Sequence, residues 1–71
     1  MNKEDRQIEW INYNGYCKGQ KVFKIWFGGY YYDLYLVLSD YSICRLNSYV
    51  TLKNAEYGAE RFLKRLQEVA K

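Results

Sequence analysis

The chain contains no histidine and no proline, and only two cysteines and one methionine among its 71 residues. Without histidine it lacks the side chain most used for general acid–base work, the base of the Ser–His and Cys–His dyads, and the commonest metal ligand. No enzymatic role is therefore expected. Two cysteines permit at most one disulfide. Cys44 reads as a small inward-facing apolar residue and Cys17 as a loop thiol, both reduced. A zinc site would need carboxylates to complete it, so no metal and no cofactor are expected. The Gly28-Gly29 pair is no phosphate loop, because it lacks the accompanying Lys and opens no helix. No segment follows the basic-then-apolar pattern of a signal peptide, and none runs apolar long enough to cross a membrane. The expectation is a cytoplasmic domain with no membrane partner.

What is present describes one small globular domain over residues 1–71. Hydrophobic residues make up 49% of the chain and charged residues 27%. A domain of this size buries only about 60% of the surface its unfolded chain exposes, which leaves little of it for an enclosed active-site cavity. Aromatics make up 20% of the chain, and nine of them are Tyr. So small a core cannot enclose that many rings and satisfy each phenolic hydroxyl, so tyrosines must reach the surface. The formal charge of +3 is mild and by itself selects no partner.

The hydrophobic period divides the chain. From Thr51 onward, Leu52, Ala55, Ala59, Phe62, Leu63, Leu66 and Val69 recur at three- and four-residue spacing, which predicts an amphipathic helix. Thr51 is its expected N-cap, and Glu60 and Lys64 form an expected solvent-side i,i+4 pair. Gly58 costs about 1 kcal/mol relative to Ala in such a helix, and at the edge of the apolar stripe it allows close packing on a sheet. Upstream the period is two. Phe23, Ile25 and Phe27 alternate with Val22, Lys24 and Trp26, and Tyr32, Leu34, Leu36 and Leu38 alternate with Tyr31, Asp33, Tyr35 and Val37. A two-residue Gly28-Gly29 turn would set Trp26 opposite Tyr31, Lys24 opposite Asp33 and Val22 opposite Tyr35. A three-residue connection of Asp40, Tyr41 and Ser42 would lead into a further strand, with Arg45 and Tyr49 on the same side as Tyr35 and with Cys44 and Leu46 facing the core. Residues 8–13 read as a first strand closed by Asn14-Gly15; the alternative is a short helix capped by Asn2 and running through Trp10. With the strand reading, the predicted fold is α+β: a four-stranded antiparallel meander with one C-terminal helix packed on one face.

A single helix covers only one side of such a sheet. The other side would carry Lys24, Trp26, Tyr31, Tyr35, Arg45 and Tyr49, the candidate partner-binding residues. Planar rings interleaved with Lys and Arg suit a protein interface, because they offer large contact areas with few torsions. They also suit base stacking and phosphate contact, or face-to-face pairing of two copies as a homodimer. Asp33 at the centre of that face would repel a phosphate backbone, which favours a larger protein as partner, with nucleic acid as the alternative and a homodimeric structural module third. Tyr57, Arg61 and Arg65 form a candidate secondary basic surface on the helix.

The stretch Ser48-Tyr49-Val50-Thr51-Leu52-Lys53-Asn54-Ala55 resembles the strand-to-helix junction of the arm-site DNA-binding domains of tyrosine recombinases. The inferred element order is also similar to that of whirly and PUR-type single-strand binders. Small size, richness in Tyr, Lys and Asn, and the lack of catalytic residues resemble the small inhibitors encoded by phages, anti-CRISPR proteins among them. That resemblance implies capture of a nuclease or another nucleic-acid-handling complex.

Overall fold

The computed structural model describes residues 7–39 and 42–69. Five strands, β1 (Glu9–Ile11), β2 (Asn14–Cys17), β3 (Gln20–Phe27), β4 (Tyr32–Ser39) and β5 (Ser42–Tyr49), precede one helix, α1 (Leu52–Val69). The strands form a single antiparallel sheet in chain order, and the helix packs across one of its faces. The fold is thus α+β as predicted, with five strands rather than four.

The extra strand comes from the N-terminal part. Asn14-Gly15, expected as a turn, begins β2 instead, and the reversal uses Asn12 and Tyr13, both at positive φ (50° and 65°). A second two-residue reversal at Lys18 (53°) and Gly19 (80°) joins β2 to β3, so Cys17 is a strand residue rather than a loop thiol. Positive φ at both central positions is the geometry that matches the right-handed twist of a hairpin. Gly15 is selected for space. A Cβ there would lie 2.9 Å from Ile8 Cγ2 and from the Trp10 ring, so the two large side chains can close over its backbone. The alternative helix start at Asn2 lies outside the described residues, but Trp10 is in a strand.

Between β3 and β4 the predicted pairing is shifted by two residues. Phe27 faces Tyr32, Ile25 faces Leu34 and Phe23 faces Leu36, leaving residues 28–31 as the connection, with Gly28 N–H donating to Tyr31 O at 3.1 Å. This register stacks Phe27 on Tyr32, with ring centroids 4.5 Å apart, and sets buried Ile25 against buried Leu34. Because the pleat repeats every two residues, the shift changes every pair yet leaves each side chain on its predicted face. Tyr31, and Tyr30 which the two-residue turn would have set opposite Phe27, change setting from strand to exposed connection.

The core consists of Ile8, Phe23, Ile25, Leu34, Ala55, Ala59 and Leu63, with Trp10 and Phe62 packed on Phe23. Thr51 caps α1 as predicted, its Oγ1 accepting the Asn54 N–H at 3.1 Å. At Gly58 the Tyr49 side chain closes up to the helix, since a Cβ there would overlap the Tyr49 hydroxyl. Glu60 departs from its predicted solvent-side role. It is 7% exposed, and its carboxylate accepts the backbone N–H groups of Gln7 (3.1 and 3.2 Å) and Ile8 (3.0 Å). No described helix is long and apolar enough to cross a membrane.

Candidate binding surfaces

The side of the sheet away from α1 is built by strand alternation. Across it, Ile11, Asn14, Lys24, Tyr35 and Arg45 are paired in one row, and Trp26, Asp33 and Ser48 in the next. Four of the six predicted residues, Lys24, Trp26, Tyr35 and Arg45, therefore share this face. Trp26 is 58% exposed, although it lies within a strand. Tyr31 is also exposed, but in the connection beside the sheet.

Two irregularities revise the predicted face. In β5, Leu34 faces Asn47 while Tyr35 faces Arg45, so Leu46 is an extra residue. Such a bulge inverts alternation beyond it. Arg45 stays on the open face and Tyr49 turns to the helix side, where it packs against the core beside Gly58. Tyr49 is thus not a residue of the open face. In β3, Gly15 faces Phe23 while Tyr16 faces Lys21, and the extra residue, Val22, packs against the core rather than on the open face. A third irregularity makes Leu38 the extra residue of β4, at 61% exposure. Cys44 pairs with Leu36 rather than with Leu38, as the three-residue connection would have set it, and it is exposed instead of facing the core. Ser42 belongs to β5, opposite Ser39, rather than to the connection; residues 40 and 41 lie outside the described residues.

The charges of the open face compensate one another. Arg45 Nη2 lies 3.4 Å from Asp33 Oδ1 and also donates to Ser48 Oγ, while the Ser48 hydroxyl donates to the same Asp33 oxygen. Lys24 was expected opposite Asp33, but the two-residue shift sets it opposite Tyr35. Ser48 escaped sequence reasoning because only the bulge at Leu46 brings it onto this side. This is the one ion pair among the described residues, and Lys24 is left without a carboxylate partner.

The three residues of the secondary basic surface come together as one wall of a groove between α1 and β5. Its volume is about 520 Å³, and Tyr57, Arg61 and Arg65 face Asn47 and Tyr49 across it. Leu34, Leu46 and Phe62 also line it. This groove was not foreseen, because it depends on how far α1 extends over β5. Among the described residues, no three His, Cys, Asp or Glu side chains gather as metal ligands would. The buried side-chain polar atoms among them are all hydrogen-bonded. Comparison of the chain with protein-family models, with curated proteins and with solved structures returned no match.

Proposed function

We propose that the chain acts by stoichiometric binding, covering part of a larger protein with its open sheet face, and that it is not an enzyme. The observation that carries this reading is Trp26, more than half exposed in a strand and flanked by Tyr35, Lys24 and the Arg45–Asp33–Ser48 network. A large ring held by the backbone of a paired strand loses little freedom when a partner covers it. Around it the polar groups already satisfy one another, as at the rim of a protein interface. Asp33 answers Arg45, so the face offers a phosphate backbone little beyond Lys24, which favours protein over nucleic acid here. The likeness in size and composition to phage-encoded inhibitors makes nucleic-acid-handling enzymes the first class of partner to try, in the cytoplasm.

The test compares wild type with Trp26→Ala/Tyr35→Ala as immobilised bait, followed by affinity measurement on the protein captured. Loss of about 2 kcal/mol, roughly thirtyfold in Kd, is expected with an unchanged circular dichroism spectrum. Equal affinity of the two baits for that protein would overturn the reading. In a Trp10→Phe background, saturable quenching of Trp26 by a single-stranded oligonucleotide, weakening steeply from about 50 to 200 mM salt, would assign the face to nucleic acid instead. A mass that doubles with concentration in wild type but not in the double variant would assign it to self-association.

A further inference from the structure

We propose that the groove between β5 and α1 binds a nucleoside phosphate, either as a free nucleotide or as one unit of a single strand. This site is on the opposite side of the sheet from Trp26 and is independent of the reading of that face. Its volume of about 520 Å³ falls within the range of about 300–1,000 Å³ usual for small-molecule sites. Tyr57, Arg61 and Arg65 follow one another at four-residue spacing, so they stack along one line of the helix, and all three line the groove.

Charge points to the class of ligand. Neither Arg61 nor Arg65 has a carboxylate within ion-pair distance among the described residues, and Glu60, which could have balanced them, is turned inward to the amides of Gln7 and Ile8. Two like charges at i,i+4 spacing repel mildly, and an anion seated between them relieves that repulsion while accepting the paired N–H bonds a guanidinium presents. Phosphate geometry matches this fork. Shape points to the rest of the ligand. The Tyr57 ring, 49% exposed, stands one turn before Arg61 and offers a stacking surface for a base. Asn54, exposed at the groove, carries an amide that can donate to and accept from a base edge, and Asn47, whose Oδ1 accepts the Ser48 N–H at 2.8 Å, offers its amide N–H groups as donors. The carboxylates of an acidic peptide would engage the two arginines but bring no planar ring to Tyr57. The groove's width is set at Gly58, where the missing side chain lets Tyr49 close up to the helix.

The test uses two probes on the intact chain, adenosine 5′-monophosphate by calorimetry and a fluorescein-labelled thymidine octamer by anisotropy. Saturable binding of at least one is expected, with the octamer weakening from about 50 to 200 mM salt. Arg61→Gln/Arg65→Gln should lower affinity about tenfold or more and flatten the salt dependence. Tyr57→Ala should cost about fivefold or more. Trp26→Ala/Tyr35→Ala should change affinity less than about twofold, because those residues do not line the groove. Binding of both probes assigns free nucleotide as the source, and binding of the octamer alone assigns a strand. The proposal is overturned by the absence of saturation with either probe up to about 1 mM. It is equally overturned if the folded arginine variant binds as wild type does, or if affinity follows Trp26 and Tyr35 instead.

Discussion

Replacing Glu60 by Ala would leave the buried amide of Ile8 and the partly buried amide of Gln7 without their acceptor. Hydrogen bonds to an ionised group contribute about 1.5–3 kcal/mol, so Glu60→Ala should lower stability by about that much in urea titration. Glu60→Gln keeps one carbonyl acceptor and should lose less. An unchanged midpoint for Glu60→Ala would show that this contact does not hold the N-terminal segment to the helix. The sequence reading set Glu60 on the solvent side of the helix and could not show that it turns inward, since its partners are more than fifty residues away. Gly15 misled for a related reason. Asn-Gly is a strong local turn signal, whereas the demand on Gly15 comes from Ile8 and Trp10 across a strand pair.

For the elements, the contact of Gly58 with Tyr49 sets helix propensity against packing. On propensity alone Gly58→Ala stabilises a helix by about 1 kcal/mol. Here the new methyl group must displace the Tyr49 ring, so the substitution should destabilise the wild-type protein. In a Tyr49→Ala background the same substitution should stabilise by about 1 kcal/mol, and this change of sign is what a double-mutant cycle by thermal unfolding reads. Additive effects would show that the ring does not determine the fit. Alternation in β3 and β4 and the period of α1 were legible because each is a local repeat. The bulges at Val22, Leu38 and Leu46 were not, because an extra residue leaves no mark on the pattern before the partner strand is known. Loss of Tyr49 from the predicted open face follows from one such residue.

Across the whole molecule, α1 leaves the far end of β4 and β5 uncovered, with Leu38 and Cys44 exposed. The sequence announced a single helix on a sheet but not how much of the sheet it spans. Hydrogen exchange should follow this division. Amides in β3 and β4 around Phe23, Ile25 and Leu34 should exchange slowest, and those at residues 42–45 among the fastest in the sheet. Protection of residues 42–45 equal to that of Ile25 would mean that something covers this edge in solution.

The four-residue connection between β3 and β4 bears on how such a sequence could change over generations. Removal of two residues from it would keep Phe27 opposite Tyr32 and every ring on its present side, whereas removal of one would force the ladder either to slip or to bulge. Inheritable length variation at this hairpin is thus expected to accumulate in pairs, so that the loop can be remodelled while the surface that α1 recognises stays the same.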